Sequence, residues 1–419
     1  MLEQKTDLLK VSEALQLLLD GFSPVDTESI SIIQAYRRIL ASDIQTNVDL
    51  PYFSNSSMDG FAVRAADVRS ASPQSPVRLR VIADISAGSV PQVAVGENQA
   101  ARIMTGAPLP GGADSVVPVE YTNLMRESSS GYSPMQDEVL VFKPVGEGDF
   151  LRRKGEDIRA GSTVLEKGTR LRPQDIGLLA MLGIPQVSVY RKPRVALLST
   201  GDELVPVDKP LTAGKIHDSN FFTLSALCMR DGAEATYLGI VPDNADAVER
   251  ALEKAIARGV DLILSSAGVS VGAFDFVKLV VEKHGKLAFW RVNMRPGKPL
   301  AFGHYRNAPF IGLPGNPVSA FVGYEVFVRP ALMKLGGLKQ YRRPRTVVRL
   351  IEKIESDGRE SYLRAVVREE DGEWIATLTG HQGSGNLLSL VQANALLIIP
   401  SGVKSLPSRA EVEAWIIQD

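Results

Sequence analysis

The first clear periodicity lies in residues 8–20, where Leu8, Leu9, Val11, Ala14, Leu15, Leu18 and Leu19 recur at helical spacing. Gly21-Phe-Ser-Pro24 stops that helix, and a second is expected at about 27–40. From about 45 to 142 the pattern changes to short β-branched segments broken by Pro and Gly, at 77–82, 101–104, 115–119 and 138–142, which predicts an all-β module. Its serine-rich stretches, 70–76 and 126–133, read as exposed loops. Residues 143–176 are rich in glycine and charge, and Leu171-Arg-Pro-Gln-Asp-Ile opens a short helix with Pro173 in its first turn. After Pro193, strands at 195–199, 235–241, 261–265 and 310–313 alternate with helices at 218–231, 244–258, 276–284 and 317–333. This alternation predicts a parallel sheet with helices on both faces. The last segment, about 337–419, returns to short strands at 346–351, 362–367, 374–377, 395–399 and 411–417, a small C-terminal β domain. No internal repeat is visible.

Composition narrows the class. A length of 419 residues suggests two to four domains, and 44% hydrophobic content fills ordinary cores. With a formal charge of −1 there is no global field to draw nucleic acid or an acidic membrane, so any anion site must be local. Cys228 is the only cysteine and there are four histidines, which excludes an intrachain disulfide and a Cys/His zinc cluster. The start lacks a basic segment followed by an apolar core, and no apolar run approaches about 18 residues, so a soluble cytoplasmic protein is expected.

Three groups of residues could carry chemistry. The apolar run at 262–266 ends in a small-residue loop containing Gly268 and Gly272, ahead of a helix from about Phe276. A strand feeding such a loop and a helix N-terminus directs backbone N–H groups at one point, an anion cradle in which Ser270 is a further donor. Gly268-Val-Ser270-Val-Gly272 also has the form of a nucleophile elbow, with Asp275, His304 or His381 as nominal partners, but the cradle is the stronger reading. Acids occupy loop positions: Asp59, Asp157, Asp202, Glu203, Asp243 and Asp275. Singly each reads as a cap or turn residue; three at the ends of successive parallel strands suit Mg²⁺ bridging a phosphate. Arg291, Arg295 and Lys298 surround a Pro-Gly turn, Arg152-Arg-Lys154 forms a second basic run, and Leu313-Pro314-Gly-Asn-Pro317 is a rigid turn opening a helix. The dinucleotide and P-loop glycine fingerprints are absent.

Eight segments taken in order give the chain a named resemblance: Pro51-Tyr-Phe-Ser-Asn-Ser-Ser-Met-Asp-Gly-Phe-Ala62, Met104-Thr-Gly-Ala-Pro108, Arg153-Lys-Gly-Glu-Asp157, Leu198-Ser-Thr-Gly-Asp-Glu-Leu204, Gly268-Val-Ser-Val-Gly272, Arg295-Pro-Gly-Lys-Pro299, Leu313-Pro-Gly-Asn-Pro317 and Gly380-His-Gln-Gly-Ser384. With these, nearly the whole chain resembles the MoeA/gephyrin E-domain family of molybdopterin molybdenumtransferases.

The resemblance implies a multidomain α/β plus β fold. A central parallel-sheet, molybdopterin-binding-like domain would span 193–334, with a β-rich module at 45–142 and a small C-terminal β-barrel-like domain at 335–419. The N-terminal linking domain would be discontinuous, 1–44 with 143–192, residues 1–20 packing on the α/β domain. It further implies a homodimer whose cleft is shared between subunits, with transient contacts to a molybdopterin adenylyltransferase or apo-molybdoenzymes. The implied reaction inserts molybdate into adenylylated molybdopterin, with Mg²⁺ and release of AMP. A non-catalytic dimeric scaffold or cofactor carrier and a tungstate-selective homologue are the alternatives. By motif, Asp59, Thr105, Asp157, Glu203 and Asp243 would be catalytic. Ser270, Gly272, Arg291, Arg295, Lys298, Pro314, Arg364 and Ser384 would bind substrate, and Glu203, Asp243 and Asp275 would hold the metal. The chain departs from the pattern at Ala267 and Ala273, where the family often has Gly and an acid, and at Arg291 and Arg295, where lysine is common.

Overall fold

Along the strand Arg194–Thr200, Val195 and Leu197 enter one hydrophobic core and Ala196 and Leu198 another. That is the period-2 pattern of a strand buried on both faces. The structure, a computed structural model, describes residues 8–126, 136–267 and 276–418. Arg194–Thr200 pairs in parallel with Glu234–Val241 and with Leu262–Ser266, and the latter pairs in parallel with Ala308–Leu313. The helices Val11–Asp20, Ser219–Arg230 and Pro317–Gly323 supply the first core, and Ala245–Ala257 and Phe276–His284 the second, so both faces are covered as expected.

The sheet is mixed rather than wholly parallel. Pro299–Tyr305 pairs antiparallel with Ala308–Leu313, and Gly285–Arg291 pairs antiparallel with Pro299–Tyr305. The segment expected as one helix at 317–333 is helical but interrupted: Pro317–Gly323 passes through a π-turn at Tyr324–Val328 into Arg329–Leu335. The helix expected at 27–40 does not form. Thr27–Ser31 is instead a strand paired antiparallel with Gln186–Tyr190, followed by a 3₁₀ turn at Ile32–Gln34. Ser and Thr compete with helical backbone hydrogen bonds, and the partner strand lies far along the chain, where local periodicity carries no trace of it.

The same unit, formed by Met1–Ser42 and Lys167–Asp419, holds the C-terminal β domain. Glu360–Glu370 pairs with both Glu373–Leu378 and Ala395–Ile399, and with Thr346–Leu350 and Glu411–Ile416 this closes a small barrel around its own core. Met294–Arg295 adds in parallel to Glu360–Ser361 and ties the barrel to the α/β layer.

The second unit, Asp43–Glu166, is built on a five-stranded sheet in the order Ser115–Pro118, Gly60–Val63, Gln99–Ile103, Val77–Ile85, Glu138–Val141. Four of these are the strands the β-branched segments predict, and Gly60–Val63 joins them between Ser115–Pro118 and Gln99–Ile103. No helix among the described residues is long and apolar enough to cross a membrane.

Candidate functional site

In the larger unit the strand ends converge on a cleft of about 380 Å³. Of the strand-end acids Glu203 lines it, and Asp202 and Asp243 lie next to Glu203. After Thr200 the chain turns at Gly201, φ 146°, and the Glu203 carboxylate folds back so closely that a Cβ on Gly201 would stand 2.5 Å from Oε2. The positive φ favours glycine here, whereas the Glu203 carboxylate is the free end of a flexible side chain. Asp202 and Asp243, at the ends of adjacent parallel strands, clasp each other: Asp243 N donates to Asp202 Oδ1 (3.2 Å) and Asp202 N to Asp243 Oδ2 (3.4 Å). Burial, opposed by the backbone bond from Asp202 and joined by the charges of Asp202 and Glu203, raises the Asp243 carboxyl above its ordinary pKa.

The opposite wall is the turn Pro314–Pro317. Asn220 Nδ2 donates to Gly315 O at 2.7 Å, and Asp218 caps the helix Ser219–Arg230 by accepting from Phe221 N (3.1 Å) while also accepting from Tyr237 OH (2.8 Å). From the barrel, Ser384 accepts Asn316 Nδ2 at 2.9 Å and its carbonyl accepts Val318 N at 3.0 Å, so Ser384 braces the turn of which Pro314 is part. Arg364 is placed differently from a residue reaching into a cleft. It is fully buried, donating Nε to Ser389 Oγ (3.0 Å) and Nη2 to Gly383 O (3.0 Å), which fixes the 381–383 loop behind Ser384. Burial and the neighbouring Arg295 lower its pKa to about 10, still a cation at neutral pH.

Arg291 ends the strand Gly285–Arg291, opposite Pro299. Arg291 and Lys298 are exposed and have no ion-pair partner among the described residues, whereas Arg295 stands 3.8 Å from Asp357 Oδ2. Val292 N donates to Lys298 O at 3.0 Å, closing the loop that carries these cations. Ser270, Gly272 and Asp275 lie outside the described residues. Ala267, just before them, has φ 71° and a backbone N donating to Leu313 O at 3.0 Å. His304 lies mid-strand, opposite Lys286 and Pro309, and His381 in the loop fixed by Arg364; neither carries a catalytic assignment.

In the second unit, Asp59 Oδ1 accepts both Thr105 N (2.7 Å) and Thr105 Oγ1 (2.8 Å), bringing two expected residues together. These bonds, the backbone one first, hold the Asp59 carboxyl below its ordinary pKa. Gly60 is required beside it, because a Cβ there would stand 2.0 Å from Val117 O. Asp157 forms an ion pair with Arg152, whose strand Leu151–Arg152 pairs with Asn55–Ser56.

Asp218, Asn220 and Asn316 are functional candidates not singled out from the sequence; their one visible signal is a capping residue at the start of an expected helix. Glu203 and Asp243 offer carboxylate oxygens, the donor type that suits a hard cation, and Asp243 is raised first by burial and then by the charges of Asp202 and Glu203. Among the described residues no three His, Cys, Asp or Glu side chains converge closely enough to hold a metal alone. A hard divalent cation such as Mg²⁺ would fit here only with one or two of these carboxylates and further oxygen ligands from outside the side chains.

Comparison with known proteins covers the whole arrangement. The MoeA N-terminal region (domain I and II) matches residues 9–183, the probable molybdopterin binding domain 196–334, and the MoeA C-terminal region (domain IV) 347–417. A curated relative from Nostoc sp., named molybdopterin molybdenumtransferase, is 41% identical over 397 residues, 93% of this chain and 88% of its own. One of the same name from Haemophilus influenzae is 38% identical over 94% of both chains. A crystal structure of a molybdopterin biosynthesis moeA protein from Pyrococcus horikoshii superposes with a TM-score of 0.83 at 32% identity, covering 98% of this chain and 100% of its own.

Proposed function

The chain belongs to the MoeA family of molybdopterin molybdenumtransferases, and we propose that it inserts molybdate into adenylylated molybdopterin with release of AMP. The observation that carries this reading is the pairing of crowded carboxylates at the strand ends with uncompensated cations on the 291–298 loop. Polyanionic substrates need both: cations to neutralise phosphate and oxyanion, and carboxylates to share a metal with them.

Glu203 and Asp243, with Asp275, would hold Mg²⁺, which when bound polarises the phosphoanhydride oxygens. Arg291, Arg295 and Lys298 draw the phosphates and the molybdate oxyanion, and Ser270 and Gly272 offer loop donors. Pro314 and Ser384 shape the wall against which the pterin lies, and Arg364 holds the loop that presents Ser384. Asp59, Thr105 and Asp157 act from the β-rich module. Asp59, kept ionised by Thr105, orients the water that adds at phosphorus as AMP leaves. The two dithiolene sulfurs then bond to molybdenum, and their protons leave with one displaced molybdate oxygen as water.

We assign the linking domain to 1–44 with 143–192 and the working state to a homodimer, with the β-rich module of one subunit completing the cleft of the other. Handover to apo-molybdoenzymes and receipt from an adenylyltransferase follow from the substrates' lability. Molybdate and tungstate share charge and nearly share size, so competition between them in a cofactor-insertion assay tests the oxyanion assignment. Preferential incorporation of molybdate supports it, and preferential incorporation of tungstate overturns it.

A further inference from the structure

A second concavity in the larger unit shares no residue with the cleft. It measures about 520 Å³, the size of a site for a nucleotide-sized ligand. The helix Ser219–Arg230 links the two: its first turn borders the cleft, and Met229 and Arg230 at its end line this pocket.

The pocket is lined by six cations, and they divide into two sets. Arg38, Arg191 and Arg230 are neutralised: Arg38 pairs with Glu28, Arg191 makes two 2.7 Å bonds to Asp261, and Arg230 lies 2.8 Å from both Asp231 and Glu325. Arg37, Arg170 and Lys192 have no carboxylate bonded to them among the described residues. Arg37 donates only to Arg230 O, at 3.2 Å, and Arg170, half-buried, has no hydrogen bond or ion pair at all among the described residues. Burial lowers its guanidinium pKa; the nearby Asp231 carboxylate opposes this, and Arg37 adds a smaller lowering. Asp231 and Glu234 also line the pocket, but Asp231 is bonded to Arg230 and Tyr324, so the Arg37 and Arg170 guanidinium groups keep their donors open to a further anion.

The backbone places these groups deliberately. Ile39 and Arg170 form an antiparallel bridge, and Arg37 N donates to Leu171 O at 2.8 Å. Arg37 has φ 64°, a conformation in which glycine would cost less, yet an arginine occupies it. Tyr36 and Met229, 58% and 65% exposed, add an aromatic and a thioether surface at the rim.

We infer that this pocket binds a phosphorylated, ring-bearing small molecule, a nucleoside monophosphate in class, with its phosphate between Arg37 and Arg170 and its ring against Tyr36. Planar guanidinium forks match phosphate oxygens in pairs, and the exposed aromatic supplies stacking. The site stands apart from the proposed reaction and does not depend on it.

The test is calorimetric titration of AMP, adenosine and inorganic phosphate into the full chain. AMP would also enter the cleft under the function proposed above, so the titration is repeated on Lys298→Gln, where the pocket alone should retain AMP binding. In Lys298→Gln, adding Arg170→Gln is expected to weaken AMP at least tenfold, and adenosine should not bind. Arg37→Gly should do the same while leaving the melting temperature near wild type, because glycine relieves the backbone at that position. Unchanged AMP affinity in both variants, or no AMP binding in Lys298→Gln, would overturn the assignment. Absence of molybdate turnover would not touch it.

Discussion

Glu325 is the buried acid at the centre of an ion-pair network of three arginines. It lies in the π-turn Tyr324–Val328 with its side chain 0% exposed, 2.8 Å from Arg230, 2.9 Å from Arg343 and 4.0 Å from Arg329. Asp231, itself bonded by Tyr324 OH at 2.9 Å, is the other acid of this cluster. Three arginines therefore share two acids, and Glu325→Gln would leave them with one. Breaking one partner out of a buried ionic network costs about 3–5 kcal/mol. The Arg230 contact is ionic without good hydrogen-bond direction, so the lower half of that range, about 3–4 kcal/mol, is expected. The assay is urea unfolding, read as a fall in midpoint without a change in slope. Adding Arg343→Gln should recover part of the loss, since it removes one uncompensated charge while sacrificing its bond to Ile416 O. A loss below about 1 kcal/mol for Glu325→Gln would show that water already screens the cluster and would refute the reasoning. The network joins the end of the helix Ser219–Arg230 to the helical segment after Pro317, and Asn220 at the start of the same helix bonds Gly315 just before that segment.

Three further outcomes are expected. Ala267→Gly should stabilise the protein by up to about 1 kcal/mol, because a left-handed backbone penalises the Cβ at φ 71°; a destabilised variant in thermal unfolding would contradict this. The Asp243 carboxyl is raised in the fold, so its contribution to stability is full below its unfolded pKa and is lost as pH rises through the folded value. Asp243→Asn should therefore melt higher than wild type at neutral pH, and MgCl₂ with a phosphate-bearing substrate should raise the melting temperature of wild type but not of the variant; equal shifts would remove Asp243 from the metal site. Thr105→Val removes one of the two bonds to Asp59 Oδ1, and NMR titration should find the Asp59 carboxyl moved upward toward its ordinary range. Since the Asp59 pKa is depressed, its stabilisation is present above the unfolded pKa and lost as pH falls through the folded value.

Much of this was legible in the chain because local chemistry and final geometry agree. Strands of β-branched residues formed where expected, and apolar residues on Arg194–Thr200 fill both cores that a doubly covered strand requires. What was not legible depends on distant partners. Thr27–Ser31 becomes a strand because Gln186–Tyr190 lies beside it, and Gly285–Arg291 becomes a sheet edge because Pro299–Tyr305 folds back along it. Asp218 and Asn316 look like ordinary caps, and only the fold turns them toward a cleft. Arg364 reads as a substrate-facing cation until its burial and its bonds to Ser389 and Gly383 are seen. The approach of Arg37 to Arg170 is likewise a property of the Ile39 bridge, invisible in either segment alone.

The most direct test of the central claim is release of AMP from adenylylated molybdopterin by the full chain, followed chromatographically with and without molybdate and Mg²⁺. The account predicts AMP release and active molybdenum cofactor that require both additions, with Lys298→Ala and Glu203→Gln slowed at least a hundredfold (about 2.7 kcal/mol). Tight binding of the adenylylated pterin with no molybdate-dependent AMP release would contradict it and identify a carrier or scaffold instead.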